Sequence, residues 1–152
     1  MQFKDWEFRF DKQLTQQTYE NVVGSGADTC FCNDCKNYVA LRDSVFPDEV
    51  HKLFDDLGVD YRKEVEITTW EVLPNGLHHI GGWFHFKGQM LAGKNYRVPL
   101  PDEKSFSIVF TEINANFKIG FGEGSDLTFF EDKNELIQIE FETKIPWVID
   151  DK

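Results

Sequence analysis

The chain has 152 residues, 41% hydrophobic and 15% aromatic, which is enough for one domain with a full core and argues against disorder. Its formal net charge of −11 opposes nucleic-acid backbones and anionic membrane surfaces, and favours a basic protein partner or a cationic ligand. The first residues lack the apolar core of a signal peptide, and no apolar run reaches membrane-spanning length. The expectation is a single soluble, cytoplasmic domain over residues 1–152.

Trp6, Phe8 and Phe10 alternate with Glu7 and Arg9, which predicts an opening strand. Thr18 to Val23 reads as a second, weaker strand, and Gly24-Ser25-Gly26 as a turn.

The next stretch, Cys30-Phe31-Cys32-Asn33-Asp34-Cys35-Lys36-Asn37, holds all three cysteines of the chain. Thr29 to Cys32 suits a short strand with Cys30 and Cys32 on one side. Asn33 suits an N-cap, which puts Cys35 in the first helical turn. Three readings stay open. A thiolate metal site, with zinc the expected cofactor, needs a fourth ligand from His51, His78, His79 or His85. A Cys32/Cys35 redox pair has CxxC spacing without a clear βαβ context. Small thiols packed under a turn is the third. An odd number of clustered cysteines is a poor disulfide framework.

Cys35 to Arg42 predicts a short helix. A stronger one follows: Pro47 suits its first position, Asp48 and Glu49 its first turn, and Gly58 its C-terminal stop. Val50, Leu53, Phe54 and Leu57 lie at i, i+3, i+4 and i+7 and form its core stripe.

From there the chain reads as strand. Glu64 to Val72 switches parity between Ile67 and Trp70, which a bulge near Thr68-Thr69 reconciles. Pro74-Asn75-Gly76 is a hairpin turn. Along the returning strand, Leu77 to Lys87, one face carries Ile80, Phe84 and Phe86. The other carries His79, Gly81, Trp83 and His85, with a glycine that leaves room for something to approach. Trp83 and His85 are therefore candidate ligand contacts, and His85 or His79 the favoured fourth metal ligand.

Gly88 to Lys104 shows no clear periodicity and reads as a loop. Segments around Phe106–Phe110, Phe117–Phe121 and Leu127–Phe130, and a long strand from Leu136 to Ile145, complete the pattern. Gly120-Phe121-Gly122-Glu123-Gly124 reads as a turn, since no lysine or helix follows to make it a phosphate loop. The fold expected is α+β: mainly antiparallel β, a sandwich or open barrel, with two helices near residues 33–58.

The Cys30-x-Cys32-x2-Cys35-x-Asn37 motif, the strand Gly81-Gly82-Trp83-Phe84-His85-Phe86 and the terminal Pro146-Trp147 together resemble a family of small, uncharacterised bacterial proteins. The resemblance pairs the cysteine stretch with that strand and implies no catalytic residues. Two functions follow from the residues themselves. One is an acidic binding protein, immunity-like in size and charge, that neutralises a basic partner. The alternative is a metal- or thiol-dependent enzyme that uses the cluster with His79 or His85 as proton carrier.

Overall fold

A computed structural model describes residues 1–102 and 104–150. The chain opens with β1 (Gln2–Phe3) and β2 (Trp6–Phe10), and continues through four helices: α1 (Lys12–Glu20), α2 (Gly26–Thr29), α3 (Asn33–Val45) and α4 (Asp48–Leu57). Then come β3 (Glu66–Val72), β4 (His78–Ala92), β5 (Arg97–Pro99), β6 (Phe106–Ile108), β7 (Thr111–Glu112), β8 (Lys118–Glu123) and β9 (Leu136–Ile145). The fold is α+β. Every strand pair in the main sheet is antiparallel, and the sheet stays open rather than closing into a barrel.

The two helices expected near residues 33–58 are α3 and α4. In α4 the stripe Val50, Leu53, Phe54 and Leu57 is buried, and Gly58 ends the helix at φ +86°, a backbone region that residues with a Cβ rarely adopt. Two helices precede them. The stretch from Thr18, expected as a strand, lies partly in α1. Asp11 caps α1 by accepting the Leu14 N–H at 3.0 Å, and the helix buries Thr15 and Tyr19, one turn apart. With so few apolar residues it carries little helical periodicity, and its position comes from what Thr15 and Tyr19 reach.

They reach β4, the fifteen-residue strand at the centre of the sheet. Strand order is β1-β2-β4-β9-β8-β7, with β3 also on β4. One edge of β4 pairs with β9 from His78↔Ile145 to Lys87↔Leu136. The other edge is shared: β3 pairs up to Trp83 and β2 starts at Gly88. Between them this edge of β4 has no strand partner among the described residues. Helix α1 fills the gap, with the Tyr19 hydroxyl on the His85 backbone and Thr15 Oγ1 accepting the Lys87 N–H at 3.0 Å. Buried backbone groups need partners, and here side chains supply them.

Ile80, Phe84 and Phe86 face the helices together with Ile139 and Phe141 of β9 and Ile119 and Phe121 of β8, all buried. Phe46, which ends α3, packs at 5.8 Å from Phe84 and 5.0 Å from Phe141 (ring centroids), and Phe54 of α4 lies 4.8 Å from Phe84. Several segments differ from the expected reading. Strand β4 runs on to Ala92, into the expected loop, because β2 pairs with it there. The Gly120–Glu123 stretch is strand β8, its glycines opposite Glu140 and Gln138, and Leu127–Phe130 is irregular. Among the described residues no helix is long and apolar enough to cross a membrane.

Candidate metal centre

The cysteines occupy the junction of α2 and α3. Ser25 and Asp28 form a reciprocal cap on α2: Ser25 Oγ accepts the Asp28 N–H at 3.0 Å, and the Asp28 carboxylate accepts the Ser25 N–H at 3.2 Å. Helix α2 is one turn long and leaves Cys30 as its C-cap. Phe31 follows, 83% exposed. Cys32, not Asn33, is the N-cap of α3, its Sγ accepting the Cys35 N–H at 3.5 Å. The expected strand over Thr29 to Cys32 does not form, because only three residues separate the two helices.

That tight link brings the sulfurs together. All three Sγ atoms lie within 4.8 Å of one another, and those of Cys30 and Cys32 are 3.2 Å apart. Cys30 and Cys32 are exposed and Cys35 is buried. The Cys32 backbone N–H, with help from the neighbouring thiols, holds the Cys30 thiol below its ordinary range. Burial pushes the Cys35 thiol up, and the two adjacent sulfurs add to that.

A buried ion pair anchors the junction. The Gly26 N–H donates to the Glu64 carbonyl at 2.9 Å, and α2 approaches the segment leading into β3 so closely that a Cβ on Gly26 would lie 2.1 Å from the Val65 carbonyl oxygen. The Glu64 side chain is fully buried. It accepts from Ser25 Oγ at 2.6 Å and pairs with Arg42 of α3 at 3.4 Å, and Arg42 also reaches Asp28 at 3.3 Å. Burial raises the Glu64 carboxyl, while Ser25 and Arg42 pull it back. On the same helix, Asn37 donates to the Pro146 carbonyl at 3.0 Å and accepts the Val148 N–H at 2.8 Å. The asparagine of the Cys-x-Asn motif therefore ties α3 to the segment that follows β9.

The imidazoles lie elsewhere. The close group of donor atoms contains the three sulfurs and, among the described residues, no histidine or carboxylate. The sequence favours His85 or His79 as fourth ligand, on the expectation that the helices cover their face of β4. The helices cover the Phe84 face instead, so side-chain alternation turns His79 and His85 away from α3. His85 is fully buried, with Nε2 3.0 Å from Gln138 Oε1, and Gln138 donates in turn to the Tyr96 hydroxyl at 3.0 Å. Burial lowers its pKa to about 4, so the ring is neutral at pH 7. His79 lies 3.4 Å from Glu142, His78 stacks on Trp147 and His51 meets Tyr61 edge-on.

Trp83 donates its indole N–H to the Leu127 carbonyl at 3.4 Å. The space above Gly81 is filled from within the chain. The register shift between Thr69 and Glu71 leaves Trp70 as the extra residue, and its ring lies where a Gly81 Cβ would stand, 2.4 Å from Cη2.

Three cysteine sulfurs on a short link offer a soft donor set of the kind that suits zinc once deprotonated. Sulfurs about 2.3 Å from a tetrahedral zinc ion stand about 3.8 Å apart, a little beyond the 3.2 Å of the Cys30–Cys32 pair and inside the 4.8 Å within which all three sulfurs lie. Sequence reasoning could have found the Ser25-x-x-Asp28 cap. It had no signal for Glu64, which lies 29 residues or more from the cysteines in the chain. No family model, curated protein or solved structure matches this chain.

Proposed function

We propose that this chain is a small acidic binding protein in which Cys30, Cys32 and Cys35 hold a zinc ion that staples α2 to α3. The convergence of the three sulfurs within 4.8 Å carries the reading. Cys30 belongs to the end of α2, and Cys32 and Cys35 to the start of α3, so one ion would fix the angle between the two helices. Exposure of Cys30 and Cys32 gives the ion a route from solvent. The partner is basic, as an immunity-like role in neutralising a cationic protein requires. The support is the net charge of −11, with eight carboxylates against three lysines from Asp126 to Lys152.

Loading tests the metal. Reduced, metal-free protein titrated with zinc against a chromophoric chelator should take up one equivalent. Serine at any one of the three cysteines should weaken binding at least tenfold. Cobalt(II) should give the intense visible bands of a tetrahedral thiolate site. Equal affinity in parent and all three serine variants would remove the metal reading. An enzyme reading would need His79 or His85 as proton carrier, and neither belongs to the close group of donor atoms.

A further inference from the structure

Independently of any metal, the cysteine junction holds a pair of thiols arranged for oxidation. The sequence offers Cys32 and Cys35 as the CxxC pair. The structure favours another. Cys30 and Cys32 have their sulfurs 3.2 Å apart, and both side chains are exposed. A disulfide needs about 2.05 Å between sulfurs, so closure takes a little over 1 Å of movement. That movement falls in the link between two helices, on a C-cap and an N-cap, where the backbone is not fixed by helical hydrogen bonding on both sides. Cys35 is buried within the first turn of α3 and bonded through its N–H to Cys32 Sγ, so a reagent in solution meets it last.

We propose that Cys30 and Cys32 are a thiol–disulfide exchange pair whose reaction partner is a small-molecule disulfide. The Cys30 thiolate attacks one sulfur of the disulfide. The S–S bond of the reagent breaks, and the first thiolate leaves and takes up the proton that Cys30 gave up. Cys32 then attacks Cys30 Sγ in the mixed disulfide, and the second reagent thiol leaves with the proton of Cys32. The two cysteines lose two electrons and two protons, and the reagent gains them as two thiols. An exposed disulfide on a short link is the readily reduced kind, so the reaction runs back in excess thiol. Two of the three sulfurs in the proposed metal site are used up, so zinc and oxidant exclude one another. Zinc-loaded protein should oxidise more slowly, and oxidised protein should bind zinc weakly.

The test uses the full chain, reduced and metal-free, exposed to oxidised glutathione, then alkylated and weighed. Loss of two hydrogens with a single alkylated thiol is expected. Cleavage before Asp34 separates Cys30 and Cys32 from Cys35 and shows where the bond lies. Cys35→Ser should form the same bond with no thiol left to alkylate. Cys30→Ser and Cys32→Ser should not form it. A bond that includes Cys35, three alkylatable thiols after oxidation, or loss of the reaction in a folded Cys35→Ser variant would each overturn the proposal. Zinc uptake, measured separately on reduced protein, can fail while the disulfide still forms, which would remove the metal reading alone.

Discussion

The Tyr19 hydroxyl donates to the His85 carbonyl at 2.7 Å and accepts the His85 N–H at 3.0 Å. One side chain thus serves both backbone groups that a neighbouring strand would otherwise pair. Tyr19→Phe keeps the ring and removes only this function. It should cost about 1–3 kcal/mol, since two buried polar groups lose their partner. The urea midpoint should fall with an unchanged slope, and the His85 amide should exchange with solvent faster. An unmoved midpoint would mean the gap in the sheet is filled some other way.

His85 makes stability depend on pH in a defined window. Its pKa is about 4 in the folded protein because burial disfavours the charged ring. The unfolded chain protonates it near the ordinary value of about 6.5. Between these values the unfolded state binds more protons, so stability falls as pH drops from about 6.5 to about 4 and does not change through this group outside that range. The full effect is about 3 kcal/mol. His85→Gln should be relatively more stable at pH 4.5 than at pH 7 when each is compared with the parent. A parent–variant difference that stays constant across that range would show that His85 does not titrate as described.

The Arg42–Glu64 pair should behave asymmetrically. Arg42→Ala leaves a fully buried carboxylate without its cation and should cost about 3–5 kcal/mol. Replacing both, as Arg42→Met with Glu64→Gln, should recover much of that loss, since neither residual group is charged. Denaturant curves on the two single variants and the double variant give the coupling. Additive losses would place the stabilising contact elsewhere.

Leu53 is 3% exposed in the centre of the α4 stripe. Leu53→Ala should cost about 2–5 kcal/mol as a cavity in the core. Urea unfolding measures it, and parent-like stability would contradict the packing of α4 against the sheet.

The residues that announced themselves in the sequence did so through period or punctuation. Helix α4 was legible because four apolar residues keep to one stripe and Gly58 stops it. The hairpin of β3 and β4 was legible from Pro74-Asn75-Gly76 and from Ile80, Phe84 and Phe86. Helix α1 was not, because Tyr19 and Thr15 are there to bond a strand some 70 residues away, and local pattern does not record such contacts. The cysteine cluster was visible as composition, whereas its geometry was not. Choosing His85 or His79 needed the side of the sheet that the helices cover. Alternation fixes which residues share a face, but not which face receives the helices.

The central strand also sets an order of assembly. β4 meets β3 across a short turn, but it meets β2 through pairs such as Phe8↔Met90 and β9 through pairs such as Phe84↔Ile139. Closing loops of that length costs entropy before any contact repays it, so the hairpin has the advantage of forming first, and the whole chain belongs among slower folders, on the scale of milliseconds to seconds. During synthesis the opening strand has no place to dock until the ribosome has passed Ala92. The free edge of β4 then stays open until Leu136 to Ile145 emerges. A chain stopped before Leu136 would leave ten positions of β4 unpaired along one edge, the kind of edge on which aggregates nucleate.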